Sequence, residues 1–170
     1  MAPRRTPTSV VHAEVAVTRV RATPKLEARI RELLNGSGLR STPARQAVLR
    51  QLSRKGRPLS HGEIAAAGAT TGLDRVTLYR TLAKLQDAGL VHRVQDHKGA
   101  WRFCAHVRLA SGCPGNHAHF QCTRCGLMRC LADQSLPWIT LPDSSLVLGK
   151  QLLVYGLCPA CTPASTERRR

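Results

Sequence analysis

The sequence predicts an α+β protein, with helices in its first half and short strands around paired cysteines in its second. Apolar residues recur at helical spacing before residue 90, two β-like runs follow directly, and all seven cysteines lie between residues 104 and 161. Aromatic residues make up only 4% of the 170 residues, which suits two small cores better than one large core. We therefore expect an N-terminal winged helix-turn-helix followed by a small α/β domain that the cysteines hold together.

Four helices are expected in the first half, because apolar stripes there carry recognisable start and stop signals. Threonine before proline opens the second helix, since threonine caps a helix start and proline suits the first helical position. The third helix opens with capping-box spacing, and a glycine ends the fourth. In chain order, the signals are the stripe of residues 25–34 with its stop at Asn35-Gly36, the cap Thr42-Pro43, the capping box Ser60–Glu63, and the helix from Asp74 to Gly89.

Two β-like runs after the fourth helix predict a hairpin. Leu90–Gln95 and Ala100–Val107 flank the turn that ends in Gly99. Helices followed by a hairpin make a winged helix-turn-helix, in which the fourth helix is the recognition helix and the hairpin is the wing. A loop of residues 97–99 would place His92 opposite Cys104, whereas a four-residue loop would place His92 opposite residue 103. Gly99 favours the first register, because a three-residue loop wants a left-handed residue at its end.

Composition divides the chain into four parts. Its first residues are rich in proline, arginine, threonine and serine, which is typical of a flexible basic arm. The expected parts are the arm at 1–24, the winged helix at 25–95 with a wing extending to about 107, the second domain at 108–162, and a polar tail at 163–170. Within the second domain, residues 117–122 and 146–155 resemble strands, and they enclose a segment at 133–138 whose secondary-structure pattern is weaker.

The charge balance points to a polyanionic partner. Net charge is +16 and the pI is near 11.0. Residues 1–93 carry 17 Lys/Arg against 6 Asp/Glu, and the remainder carries 9 against 4. DNA or RNA is the first candidate, and a solvated basic face is the alternative. With no run near the roughly 18 apolar residues of a transmembrane helix and no signal-peptide core, we expect a cytoplasmic protein without a membrane partner.

Two CxxC pairs predict one structural zinc site. Cys122 and Cys125 form the first pair, and Cys158 and Cys161 form the second. Four thiolates at about 2.3 Å make a closed tetrahedral zinc site, which holds a fold together and leaves no position open for chemistry. Four unrelated buried thiols would not need paired spacing. A redox CxxC is a weaker rival, because that motif occurs once and in a βαβ context.

A second, regulatory zinc site is expected among the remaining soft ligands, which are His92, His97, Cys104, His106, Cys113, His117, His119 and Cys130. His117 and His119 lie two apart on a predicted strand and therefore point to one face. Together with His92 and Cys104 they would offer three nitrogens and one sulfur, which suit Zn²⁺ and exclude Mg²⁺. Cys130 and Cys113 are possible substitutes. Because these ligands come from both halves of the chain, a bound metal would fix the angle between the two domains. With the structural site, two zinc ions per monomer are expected.

Several ordered motifs resemble the ferric uptake regulator (Fur) family. They span about residues 26–161 and are Thr42-Pro-Ala-Arg45, Thr77-Leu-Tyr-Arg-Thr-Leu82, Ala88-Gly-Leu-Val91, His117-Ala-His-Phe-Gln-Cys-Thr-Arg-Cys-Gly126 and Tyr155-Gly-Leu-Cys-Pro-Ala-Cys161. The chain is most similar to the zinc uptake regulators, which pair a ligand at the position of His92 with a cysteine at that of Cys104. The resemblance implies that the second domain dimerises. It further implies a homodimer that binds an inverted-repeat operator in double-stranded DNA when zinc-loaded and represses zinc-uptake genes.

Two departures from the family pattern stand out. Cys130 falls where some zinc regulators have a glutamate ligand, so it could join or replace a histidine. Some relatives have a third metal site that draws on a histidine in the strand before the second CxxC. Residues 146–155 contain no histidine, and we expect that site to be absent.

The N-terminal half of the recognition helix offers candidate base contacts, namely Arg75, Thr77, Tyr79 and Arg80. An arginine can bind guanine through two hydrogen bonds, and a tyrosine ring can pack on a thymine methyl. The resemblance favours Tyr79 and Arg80 for these roles. Arg45 and the wing's Arg93 are expected to hold phosphates, which position a protein without specifying sequence. A solvated side chain is the alternative for each arginine.

Other function classes fit less well. A zinc deaminase would need a His-x-Glu whose glutamate transfers protons, but the corresponding tripeptide is His117-Ala-His119. We therefore expect no enzyme and no small organic substrate. The alternatives that stay open are a member of the same family that senses another metal, such as iron, and a winged-helix regulator with structural zinc only.

Overall fold

The computed structural model of the chain describes residues 24–105, 117–142, 144–147 and 150–163. Of the sequence predictions, the arm before residue 24, the connection with Cys113 and His106, and the tail after residue 163 lie outside these ranges. Among the described residues, none of the helices is long and apolar enough to cross a membrane.

The first domain is built on four α-helices, and three of them begin at a side-chain cap. Thr42 accepts a hydrogen bond from the amide of Arg45, Ser60 and Glu63 form a complete capping box, and Asp74 accepts from the amide of Thr77. The helices are α1 (Pro24–Gly36), α2 (Pro43–Lys55), α3 (His61–Ala65) and α4 (Arg75–Asp87), with a short 3₁₀ turn at Gly68–Thr70. Each predicted helix is therefore present, and α3 is only five residues long.

The core of this domain joins the apolar stripes of the helices. Ile30 and Leu34 of α1 share one buried cluster with the inner faces of α2 and α4, and α2 packs against both of the other helices. The buried residues are Ile30, Leu34, Val48, Leu49, Leu52, Leu59, Ile64, Leu78, Leu82, Leu85, Leu90, Val91 and Phe103. Burial of the inner face of α4 leaves its other face, with Arg75, Tyr79 and Arg80, exposed to solvent.

A three-stranded antiparallel sheet completes the winged helix. It contains β1 (Leu59–Ser60), β2 (Val91–Gln95) and β3 (Trp101–Ala105) in the order β1-β3-β2. Gly99 has a φ of 80°, and its amide donates to the carbonyl of Asp96. His92 pairs with Cys104, which confirms the register that Gly99 favoured. Each strand begins one residue later than its predicted run, and residues 106 and 107 of the second run lie outside the described part.

A second sheet forms the C-terminal domain. It contains β4 (His117–Cys122), β5 (Met128–Ser135) and β6 (Leu153–Gly156) in the order β5-β4-β6, with β5 antiparallel and β6 parallel to β4. Strand β5 was not predicted, and its last residues, to Ser135, fall in the segment at 133–138 that the sequence left unassigned. Among the described residues of the predicted strand at 146–155, only those from Leu153 onward are extended in β6, which runs one residue past the prediction to Gly156 and pairs there with Cys122 at the end of β4. The described residues of this domain include no helix.

Candidate metal centres and nucleic-acid interface

Four cysteines meet where β4 and β6 end. Cys122 is the last residue of β4, and a turn with Gly126 at a φ of 72° brings Cys125 back beside it. The second pair, Cys158 and Cys161, lies on a turn just after β6. All four Sγ atoms lie within 4.8 Å of one another, and Cys125 Sγ is 3.8 Å from Cys158 Sγ. Parallel pairing of β4 with β6 therefore delivers both CxxC turns to one point.

The electrostatics of this group fit a divalent cation. Burial raises the pKa of Cys122, but the amide groups of Cys125, Cys158 and Arg124 outweigh it and lower the pKa to about 6. Burial and hydrogen bonds from neighbouring thiols raise the pKa of Cys161 to about 12. Without a metal, the surroundings therefore favour the thiolate form of Cys122 and disfavour the thiolate form of Cys161. A soft divalent ion such as Zn²⁺ supplies the positive charge that four thiolates need, so the donor set fits this metal.

Three histidines form a second group between the two domains. His92 comes from β2, and His117 and His119 come from β4. One ring nitrogen from each histidine lies within 4.8 Å of the other two, and His92 Nε2 is 3.5 Å from His119 Nε2. His117 and His119 are 2% and 3% exposed. The group thus offers one metal three imidazole nitrogens from two strands, a donor type that suits Zn²⁺.

Two cysteines lie beside this histidine group, which is referred to below as the histidine triad. Cys104 pairs with His92 across β2 and β3, and Cys130 pairs with His119 across β4 and β5. Cys104 Sγ is 3.6 Å from Cys130 Sγ, which is close to the 3.8 Å between two thiols of the four-cysteine group. Among the described residues, the group whose ligand atoms lie within 4.8 Å of one another at this place contains the three histidines and neither cysteine. Cys104 and Cys130 are the cross-strand partners of His92 and His119. His97 takes a different position, where its Nδ1 lies 2.9 Å from Gln121 Oε1.

Contacts without any metal also link the two domains. The side chain of Gln151 makes two hydrogen bonds to the backbone of Gln95. The amide of His97 donates to Gln121 Oε1 at 2.9 Å, and the ring of His97 stacks near Tyr155 with centroids 6.1 Å apart. Sequence reasoning missed these contacts, because a single glutamine in a strand-like run carries no signal of its partner.

The exposed face of α4 presents the predicted base-reading residues. Tyr79 is 44% exposed and the Arg75 guanidinium lies 5.8 Å from its ring centroid. The hydroxyl of Thr77 donates to Asp74 at 2.5 Å, so this side chain is engaged in the helix cap. Val76 is 57% exposed, and sequence reasoning missed it as an apolar side chain at the N-terminal end of α4.

The two arginines predicted to hold phosphates lie on other elements. Arg45 is near the start of α2, and its Nη1 donates to the carbonyl of Arg40 at 2.6 Å. On β2, the guanidinium of Arg93 lies 4.2 Å from the ring centroid of Trp101 on β3. Both guanidinium groups belong to the winged helix, as contacts to a DNA backbone would require.

A profile described as the ferric uptake regulator family matches residues 36–140. This range is more than half of the chain, so the chain belongs to the ferric uptake regulator family. Members of the family are metal-responsive transcription regulators and not enzymes. The winged helix and the sheet domain are the DNA-binding and dimerisation domains of this fold, as the sequence predicted. Comparison with curated proteins gave no match.

Solved structures show the same fold. A zinc uptake regulator complexed with zinc and DNA has a TM-score of 0.59 and 24% identity, over 83% of this chain and 95% of that chain. The Helicobacter pylori ferric uptake regulator, with three functional metal-binding sites, has a TM-score of 0.54 and 17% identity, over 87% and 99%. A zinc-bound manganese uptake regulator has a TM-score of 0.54 and 18% identity, over 76% and 98%.

Proposed function

We propose that this chain is a zinc-responsive repressor of zinc-uptake genes, which binds operator DNA as a zinc-loaded homodimer. The observation that carries this proposal is the histidine triad with its neighbouring thiol pair, Cys104 and Cys130. These ligands are nitrogen and sulfur, and they come from both the winged helix and the C-terminal sheet. A metal bound there would join the two domains.

The four-cysteine group is proposed to hold a structural zinc ion. Four thiolates leave no coordination position for a substrate or water, so the ion would stabilise the sheet without acting chemically. It would fix the ends of β4 and β6 and with them the strand that carries His117 and His119.

The regulatory zinc site is proposed at the triad, with a thiolate completing a tetrahedron. Cys104 is the fourth ligand that the sequence suggested, and Cys130 is a second candidate because its Sγ lies 3.6 Å away. Thiolate favours Zn²⁺ over Mn²⁺, which prefers oxygen ligands. Zinc in a solved manganese regulator shows that zinc occupancy alone does not identify the sensed metal. For this reason the test below measures DNA binding together with metal content.

Metal would act by selecting one arrangement of the two domains. Zn²⁺ binds best where β2 and β4 approach, so it stabilises that arrangement relative to others. DNA that recognises the same arrangement in a dimer would then bind more tightly, and zinc and DNA would strengthen each other's binding reciprocally.

A second copy of the chain is the proposed partner at the C-terminal sheet. Both β5 and β6 are edge strands in the described part of this sheet. Large apolar side chains are exposed on and near β6, namely Leu146, Val147, Leu152, Val154, Tyr155 and Leu157. An apolar surface beside an exposed strand edge is a common basis for association. A two-fold dimer would present two copies of α4 to the two half-sites of an inverted repeat.

In this scheme α4 enters the major groove. Arg80 and Tyr79 would contact bases, Arg75 and Thr77 lie at the same end of the helix, and Arg45 and Arg93 would contact phosphates. The net charge of +16 supplies the non-specific attraction to DNA.

The experiment combines zinc stoichiometry with an operator selected from random DNA by the zinc-loaded protein. Wild type should bind two zinc ions per monomer and prefer the operator only with zinc. Cys104→Ser should retain one ion and lose zinc-dependent operator binding. Normal zinc-dependent binding by Cys104→Ser would overturn the role of this cysteine, and the same result for Cys104→Ser/Cys130→Ser would overturn the regulatory site. A stronger response to Fe²⁺ or Mn²⁺ would favour the other sensors of the family.

A further inference from the structure

A histidine outside both metal groups contacts the recognition helix. His61, the first residue of α3, stacks on Tyr79 of α4 with ring centroids 3.8 Å apart and an interplanar angle of 27°. The same imidazole makes an edge contact with Phe103 of β3, with centroids 4.7 Å apart. His61 therefore lies between the core of the winged helix and Tyr79 on the exposed face of the recognition helix.

Several contacts hold the first turn of α3, which carries His61, in place. The capping box of Ser60 and Glu63 fixes the first turn of α3, and Glu63 forms ion pairs with Arg57 at 2.8 Å and Arg102 at 2.9 Å. The His61 imidazole on this turn contacts Phe103, which belongs to the buried core. Its stacking partner Tyr79, by contrast, is 44% exposed, and the Arg75 guanidinium lies 5.8 Å from the centroid of its ring.

The chemistry of the contact favours a neutral imidazole. Burial, and then the charge of Arg75, lower the pKa of His61. His61 Nε2 is buried and makes no hydrogen bond to the described residues. The ring thus acts mainly as a flat apolar surface, which suits stacking on a phenol ring.

We propose that His61 is a positioning residue for DNA recognition, which holds the Tyr79 ring in the orientation that packs on a thymine methyl. This inference rests on the proposed function and concerns one contact with the operator, that of Tyr79 with a thymine. A tyrosine fixed before binding loses less side-chain entropy when it meets DNA, so the stack strengthens one contact at one base without touching DNA itself.

The test uses operator duplexes in which single thymines are replaced by uracil, which removes only the 5-methyl group. In the zinc-loaded wild type, replacement at one position per half-site should weaken binding about fourfold, the effect of losing burial of one methyl-sized group. Tyr79→Ala should abolish this penalty at that position. His61→Ala should reduce it to less than twofold, whereas His61→Phe, which can still stack, should restore it.

Two further measurements exclude a merely structural effect. His61→Ala should keep the zinc content and the affinity for random-sequence DNA of the wild type, since the phosphate contacts do not involve this residue. A double-mutant cycle between His61→Ala and Tyr79→Ala should give strongly non-additive effects on operator affinity.

The outcomes separate this inference from the proposed function. A full uracil penalty in His61→Ala, no penalty at any position in wild type, or failure of His61→Phe to restore it overturns the positioning role alone. Absence of zinc-dependent operator binding by wild type overturns the proposed function and the positioning role together.

Discussion

The side-chain amide of Gln151 accepts a hydrogen bond from the amide of Gln95 and donates one to its carbonyl, both at 2.8 Å. A side chain thereby pairs with the edge of β2 as a neighbouring strand would. Because Gln151 precedes β6, this contact ties the wing to the C-terminal sheet at a place separate from the histidine triad.

Gln151→Ala should weaken the link between the domains in the metal-free protein. The bonds are exposed, so the loss in free energy of unfolding should be about 1 kcal/mol or less. A larger effect is expected on domain mobility, which cleavage by a protease between residues 105 and 117 can measure. Lys150→Ala, a change at the adjacent exposed position, is the matched control. Equal cleavage rates for the two variants would contradict the role of Gln151.

Cys158→Ser should remove both zinc ions, whereas Cys130→Ser should leave at least the structural ion. The reason is that Cys122 and Cys158 would hold the ends of β4 and β6, and β4 carries two histidines of the triad. Zinc content per monomer and the circular dichroism of the sheet are the measurements. Retention of one ion by Cys158→Ser would show that the triad is assembled without the four-cysteine group.

Arg80→Ala should reduce discrimination between the operator and random DNA by about 1–3 kcal/mol, the usual contribution of a bidentate arginine–guanine pair. Lys84→Ala is the matched control, since Lys84 is exposed one turn further along α4. Binding to both DNAs is measured at one salt concentration, because phosphate contacts depend on salt. An unchanged ratio in Arg80→Ala would assign this arginine to the phosphate backbone or to solvent.

Glu27→Gln should destabilise the helical domain at neutral pH and much less in acid. The two hydrogen bonds from Arg50 to the carboxylate lower the pKa of Glu27 below its usual value. The stabilisation is therefore fully present above the usual glutamate pKa and is lost as pH falls through the lowered one. We expect a difference of about 1 kcal/mol at pH 7 for this partly buried pair.

Urea unfolding followed by helical circular dichroism, with a chelator present at every pH, measures this difference without changes in bound metal. Glu32→Gln is a suitable control, because Glu32 lies in the same helix and pairs with Arg29 only at the surface. A difference that persists unchanged at pH 3 would contradict the role of the ionised carboxylate.

Local signals in the sequence predicted much of the fold. The caps at Thr42, Ser60 and Asp74 depend on neighbours within three residues, and Gly99 determined the register of the wing. Of the strand predicted from residue 146, the described residues before Leu153 are not part of β6, because an apolar run does not reveal which of its residues pair with the partner strand. Which elements are helical or extended is a local property, whereas strand length is a property of the pair.

The candidate site divides in the same way. Paired spacing identified the four-cysteine group, and alternation along β4 placed His117 with His119. The approach of Cys130 to Cys104 depends on two strand pairings and on the packing of two sheets, so the sequence suggested Cys130 only as a substitute. The stack of His61 on Tyr79 joins α3 to α4, and no short motif contains both residues.

The parallel pairing of β4 with β6 has a consequence for the order in which the chain folds. Antiparallel neighbours such as β4 and β5 can form from a short turn, whereas β6 must close a long loop before Leu153 reaches His119. Thiolates of the first CxxC turn could capture zinc while the second is still distant, and its arrival would then complete the coordination. We therefore expect the zinc supply to set the rate at which newly made protein acquires its C-terminal sheet, in addition to the activity of protein already folded.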